Sequence, residues 1–264
     1  MKTFEFHRPT SVADALALIK DRDGAKFLAG GQSFLPVLKL DLGEASDLIS
    51  LGAVPELRTI RVERGAVVIG ALVTHDEVSR SVDVQVPIPA LAALAGAIGD
   101  PQVRNRGTLG GSVAHADPSA DYPAALVGLG ATIVTDRRSI EADEFFTGLF
   151  ETALARDELV TEVRFPIPRR AAYVKFAHRA SKYALVGVMV ADTSRGLRVA
   201  VTGAASTVFR VTAYEDALTK HFAPGALDGI AVAADDLNSD AEASAEFRAH
   251  LIGVMTRRAV QAIA

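Results

Sequence analysis

Two glycine doublets constrain this chain more than any other feature: Leu28-Ala-Gly-Gly-Gln-Ser-Phe-Leu-Pro36 and Gly107-Thr-Leu-Gly-Gly-Ser112. Each reads as a tight turn into a new element. Glycine accepts positive φ and lets another group approach the main chain closely. A run of N–H groups in such a turn forms a concave nest suited to an anion. A ligand-free strand-to-helix turn explains either doublet alone. Two of them, far apart in the chain, suit a ligand with two linked phosphates gripped between two segments.

The pattern along the chain places these turns in a mixed α and β protein. Ser11 and Asp14 start a helix whose Val12, Ala15, Leu16 and Ile19 share a face. Strands over 25–28 and 47–50 flank the first doublet and a short helix over 34–40, making a small β-α-β lobe. Beyond Pro55, strands over 57–62 and 66–70 pair around Glu63-Arg64-Gly65. Thr74 caps a helix from His75, and 88–98 is an apolar helix ended by Gly99-Asp100-Pro101. The second doublet follows, then a helix over 119–127 and strands over 131–135 and 159–165. Pro166 and Pro168 mark the main boundary. Three strands, over 173–179, 185–191 and 197–202, precede a long terminal helix presenting Phe247, Leu251, Val254 and Met255 on one face.

Composition narrows the function classes. The 264 residues are 49% hydrophobic and 23% charged, as in an ordinary globular protein. A formal net charge of −4 offers no basic footprint for nucleic acid or anionic lipid. No apolar run reaches membrane-spanning length, and the N-terminus lacks a signal-peptide pattern, so the expectation is a cytoplasmic protein. With no cysteine, the chain holds no Cys-ligated zinc or iron–sulfur cluster. Its histidines (His7, His75, His115, His178, His221 and His250) show no metal-ligand spacing.

The surroundings of the doublets favour phosphate. Gln32 and Ser33 add short polar groups at a helix start, where free N–H groups and the helix dipole attract anions. Thr108 and Ser112 do the same around Gly110-Gly111. No P-loop lysine follows either turn, and Gly128-Leu-Gly130 lies between a helix and a strand, the wrong order for a dinucleotide fingerprint. In Ala114-His-Ala-Asp-Pro-Ser-Ala-Asp-Tyr-Pro123, Ser119 or Asp121 is placed to cap the next helix. The alternative is a carboxylate that accepts hydrogen bonds from ligand hydroxyl or ring N–H groups.

The succession AGGQSFLP, THDEV, DPQVRNRGTLGGSVAHADPSADYP and ELVTEVRFP resembles the FAD-binding subunits of molybdenum hydroxylases. That family includes the medium chain of aerobic carbon monoxide dehydrogenase and the flavin domain of xanthine dehydrogenase. The resemblance covers essentially the whole chain. It implies an α+β, vanillyl-alcohol-oxidase-like (PCMH-type) FAD-binding fold with lobes over 1–54 and 55–168. A C-terminal CO-dehydrogenase-flavoprotein-like α+β domain over 169–264 would follow, with a three-stranded antiparallel sheet and helices.

The resemblance also implies a site. Phe27, Leu28, Ala29, Gly30, Gly31, Gln32, Ser33 and Phe34 would wrap the FAD pyrophosphate. Thr108, Gly110, Gly111 and Ser112 would supply a second set of N–H and hydroxyl donors. Asp121 matches an acid that contacts the cofactor, Leu159 and Val160 an apolar pair beside the isoalloxazine ring, and Lys175 a lysine near the flavin edge. Ile98, Gly99 and Val103 would line the same pocket. Tyr183 departs from the family pattern and reads equally as a ring neighbour or an ordinary loop aromatic. Partners implied are a small subunit with 2Fe-2S clusters and a large subunit with a molybdopterin cofactor, in a heterotrimer or its dimer. Electrons would pass to an external acceptor, with any membrane association arising through the complex. A stand-alone FAD-dependent oxidase acting on a small organic substrate is the alternative class, and isolated turnover without partners distinguishes it.

Overall fold

The computed structural model describes residues 2–263. Three main sheets, a two-stranded one and the helices packed on them form three consecutive units. The first contains β1 (Glu5–His7), α1 (Val12–Lys20), β2 (Lys26–Leu28), α2 (Phe34–Lys39) and β3 (Asp47–Ser50). Its sheet runs β1-β3-β2, all parallel, with Ile49 opposite His7 on one side and Phe27 on the other. Parallel strands need crossovers, and α1 supplies one. Ser11 caps α1 by accepting from the Asp14 N–H at 3.1 Å, which buries Ala15 and Ile19.

The second unit carries β4 (Ile60–Glu63), β5 (Ala66–Gly70) and then α3 (His75–Arg80), α4 (Val82–Gln85), α5 (Pro89–Gly96), α6 (Pro101–Arg104), α7 (Leu109–His115) and α8 (Tyr122–Leu129). It continues with β6 (Thr132–Thr135), β7 (Ser139–Glu141), α9 (Ala142–Phe145), β8 (Phe146–Gly148), β9 (Glu151–Thr152) and β10 (Val160–Pro166). The sheet order is β4-β5-β10-β6-β7, antiparallel throughout. Thr74 and Glu77 form a reciprocal capping box at the start of α3.

The third unit holds β11 (Arg170–Ala177), β12 (Ala184–Thr193), β13 (Gly196–Thr202), β14 (Phe209–Arg210), α10 (Thr212–Lys220) and α11 (Ala245–Ile263). Both faces of its sheet are covered. Val186, Val188 and Val190 of β12 join the cluster containing Leu251, Ile252 and Met255 of α11. The intervening Met189 and Ala191 join the large core around α8. The two-residue period of the strand thus fastens the sheet to a helix on each side. Every residue of α8 is buried, so it shows no polar face.

Four expectations are corrected. The third sheet has four strands rather than three: Phe209 pairs with Val201 and Arg210 with Ala200, and a two-residue strand leaves no alternation to detect. The strand expected from Leu57 starts at Ile60, because Pro55 opens a 3₁₀ turn (Pro55–Leu57) that drops Leu57 into the core. The helix expected from Ser119 begins at Tyr122. Asp117 Oδ1 accepts the Ser119 N–H at 2.8 Å and Asp117 O accepts the Ala120 N–H at 3.0 Å, holding that stretch in a turn. On α11, Phe247 is 43% exposed and lies edge-on to Phe176. The helix is rotated so that Arg248 points inward and donates to the Leu185 and Gly203 carbonyls at 2.7 and 3.0 Å.

At Gly128 the second and third units pack closely. A Cβ there would stand 2.5 Å from Met189 Cγ and 2.9 Å from Met189 Cβ. Gly128→Val is therefore expected to lower stability by about 1–3 kcal/mol through overpacking, read as a reduced denaturant midpoint with an unchanged slope.

Candidate functional site

The first two units, with residues 181–183 of the third, enclose a cleft of about 670 Å³. One wall is the turn after β2. Gly31 there has φ +73°, a left-handed conformation that favours glycine. Among the described residues, the N–H groups of Gly30, Gly31, Gln32 and Ser33 have no hydrogen-bond partner within the chain. Four consecutive open donors on a cleft wall form an anion nest. Gly30 has a second task. A Cβ on it would sit 1.9 Å from the Arg106 carbonyl oxygen and 2.9 Å from Gly107 Cα. The two glycine segments therefore touch backbone to backbone, and glycine is what lets them.

The second doublet works differently from the expectation of a second nest. Leu109 N–H donates to Val73 O at 3.0 Å, Gly110 N–H to Ala71 O at 2.9 Å, and Ser112 N–H to Thr108 O at 3.0 Å. Gly111 N–H is taken by the Thr108 hydroxyl oxygen at 3.1 Å. The donors of this segment are spent in seating α7 against the end of β5. Gly110 is required by that seating, since a Cβ would approach Ala71 Cβ to 2.5 Å. What the segment turns to the cleft is a smooth surface edged by Thr108 and Ser112.

Phe27 to Phe34, Ile98, Gly99, Val103, Thr108, Gly110, Gly111, Ser112, Asp121, Leu159 and Val160 all line this one cleft. Lys175 does not. Its ammonium lies behind the wall, 2.9 Å from Asp121 Oδ1, and donates to Ala97 O at 2.9 Å and Lys182 O at 2.8 Å. Three donors meet three acceptors, leaving none for a ligand. Asp121 occupies the position before α8 but makes no side-chain cap. Its Oδ1 accepts from Tyr173 Oη at 2.6 Å instead. Burial pushes the Asp121 carboxyl above its usual pKa, while Lys175 and the Tyr173 hydroxyl pull it back. Gly187 on β12 makes room for Tyr173, whose Oη would be 2.3 Å from a Cβ there.

Other wall residues lie outside the expected set. The 152–158 stretch forms a lip, with Thr152, Leu154, Ala155, Arg156 and Glu158 facing the cleft. Glu158 anchors it: the Arg138 guanidinium at 2.9 Å, with help from the Ala155 N–H and Thr135 hydroxyl, holds its carboxyl down at about 2. Arg156 reaches across to Arg22 O of the first unit at 3.0 Å. Tyr183 and His75 also line the cleft. His75 is 5% exposed, and burial, aided by nearby Arg104, lowers its pKa to about 4.

Comparison with known proteins agrees with this geometry. Residues 2–168 match the family described as FAD binding domain in molybdopterin dehydrogenase. Residues 171–263 match the CO dehydrogenase flavoprotein C-terminal domain. The fold and its cleft thus define an oxidoreductase subunit of two family domains. More particularly, the chain belongs to the FAD-binding medium subunits of the molybdenum hydroxylase family. It is 36% identical over 277 residues to the carbon monoxide dehydrogenase medium chain of Hydrogenophaga pseudoflava, covering 98% of this chain and 96% of that one. It is 37% identical over 274 residues to the nicotine 6-hydroxylase medium subunit of Paenarthrobacter nicotinovorans, covering 98% and 97%. Among solved structures, quinoline 2-oxidoreductase from Pseudomonas putida 86 superposes with a TM-score of 0.90 at 31% identity, covering 99% of this chain and 98% of that one.

Two outcomes follow from the geometry. Gly30→Ala must push the two glycine segments apart, so purified protein should lose nearly all bound flavin. Gly111→Ala, which meets only the Thr108 hydroxyl at 2.8 Å and Ala29 Cβ at 3.4 Å, should keep a substantial fraction, as absorbance per chain will show. The second outcome concerns acid. Because His75 has a folded pKa of about 4 against the usual 6.5, the unfolded chain binds more protons between those values. Stability is thus complete above pH 6.5 and falls as pH drops toward 4, by about 3 kcal/mol at most. His75→Phe should flatten that part of the pH–stability curve in denaturant titrations of the flavin-free protein.

Proposed function

We propose that this chain is the FAD-binding electron-transfer subunit of a molybdenum hydroxylase complex. Electrons would arrive from the 2Fe-2S clusters of a small partner subunit and leave to an external acceptor. A large partner with the molybdopterin cofactor would oxidise the substrate, in a heterotrimer or a dimer of heterotrimers. The observation that carries the reading is the row of open N–H groups from Gly30 to Ser33, facing a cleft whose remaining walls are largely apolar.

The residues present fit FAD. The Gly30–Ser33 donors suit linked phosphates, which bring negative charge and many acceptor oxygens. Thr108 and Ser112 add hydroxyl groups on the facing wall. Phe27, Leu28, Ile98, Val103, Leu159 and Val160 provide apolar surface for a flat ring and exclude water from it. Asp121 presents a carboxylate whose position Lys175 and Tyr173 fix from behind. Lys175 is then a positioning residue; its charge is balanced by Asp121 and does not touch the ligand. FAD, when bound, supplies the capacity to link one-electron carriers to a two-electron acceptor, while the protein binds, orients and shields it.

The decisive experiment purifies the chain with the subunits encoded beside it. A flavin absorbance near one per chain, bleached anaerobically by the complex's own substrate, is the expected result. A colourless chain that refuses FAD in the presence of its partners overturns the assignment. Turnover of a small organic substrate by the isolated flavin-loaded chain would replace it with the stand-alone oxidase reading.

A further inference from the structure

Behind the cleft wall, two buried polar atoms have no partner among the described residues: His75 Nδ1 and Tyr122 Oη. Their rings are neighbours, with centroids 5.4 Å apart and planes tilted by 49°. His75 is 5% exposed and Tyr122 wholly buried. Leaving such an atom unsatisfied costs roughly 1–3 kcal/mol, and native interiors rarely do so. A single water can serve both atoms, because it donates and accepts at once.

The opposite edge of the imidazole points elsewhere. A Cβ on Gly107 would stand 2.7 Å from His75 Nε2 and 2.9 Å from Cδ2, so the absent side chain leaves that edge room. Backbone pairing holds it there, since His75 N–H donates to Gly107 O at 3.0 Å. His75 and Gly107 both line the cleft, and Gly107 adjoins Gly30. The Nε2 edge therefore adjoins Gly107, the residue that Gly30 packs against. An uncharged imidazole has one donor and one acceptor nitrogen, and burial keeps this ring uncharged at neutral pH. Tyr122 Oη can donate to the water and the water to Nδ1, which puts the ring proton on Nε2.

We propose that His75 is a further ligand-binding residue, its Nε2–H donating to an oxygen of the bound dinucleotide next to the Gly30–Ser33 row, with Nδ1 and Tyr122 Oη sharing one buried water. This rests on the FAD reading above. The role is fixed by tautomer rather than by charge: a neutral donor adds an oxygen contact without placing a cation among apolar walls.

The test titrates FAD, and separately ADP, into the flavin-free full-length chain assembled with its partner subunits. His75→Phe and His75→Asn should weaken FAD roughly tenfold, the worth of about one hydrogen bond. His75→Gln, whose amide nitrogen reaches the Nε2 position, should stay within about twofold of the native protein. The ligand-free Phe variant should remain folded at pH 7, because the ring it replaces is buried and uncharged and Phe fills its volume. Parallel loss of ADP affinity assigns the bond to the diphosphate; loss confined to FAD assigns it to the flavin half. Native affinity for both ligands in His75→Phe overturns the proposal. So does nitrogen NMR of the labelled native chain with the proton on Nδ1, a measurement that needs no variant. Failure of the native assembly to bind FAD overturns the function proposed above, and is a distinct result.

Discussion

The contact between Gly30 and the Arg106–Gly107 backbone is the constraint on which the site depends. Main chain meets main chain there at a distance no side chain permits. The approach brings the open N–H row of the first unit against a wall built by the second, and so defines one face of the cleft. Two other contacts hold the same alignment. Residues 73–75 pair with 107–109, which fixes the second segment to the sheet. Arg156 reaches from the far lip to the carbonyl of Arg22. The doublets are therefore unequal. One offers donors to a ligand; the other spends its donors on holding the wall in place.

The third unit lines this cleft directly with Ser181, Lys182 and Tyr183, and it also braces Asp121 from behind. Tyr173 and Lys175 both rise from β11, and both end on that carboxylate. Lys175 also holds the carbonyls of Ala97 and Lys182, so one ammonium ties the end of α5, the start of α8 and the loop before β12. A buried charge is tolerable when its partner and hydrogen bonds are complete, and here they are. The lysine acts as a rivet between domains, and its proximity to the cofactor region arises from that duty.

Much of the architecture could be read from residue order, and the gaps have physical causes. The strands Asp47–Ser50 and Ala66–Gly70 and the cap at Ser11 follow local patterns that packing reinforces. Helix α7 was hidden because Gly110-Gly111 opposes helix formation locally; only the fit against Ala71 makes those residues helical. Phe247 was assigned inward by its period, yet Arg248 claims the interior because two strand-end carbonyls need a donor. In the cleft, the glycine turns and the apolar pair at Leu159 and Val160 carried a visible signal. The 152–157 lip did not, since its place is set by the pairing of Arg138 with Glu158, a contact between segments distant in the chain. The diversion of Lys175 onto three oxygens was equally invisible, because those oxygens come from segments distant in the chain.

The close approach at Gly30 also bears on the order of biogenesis. The wall facing the N–H row belongs to a stretch synthesised long after that row, and it is seated on residues 71–73 at the end of β5, which pairs in turn with β10. A ligand that spans the finished cleft draws on both units at once, so its binding energy stabilises their assembled pair more than either unit alone.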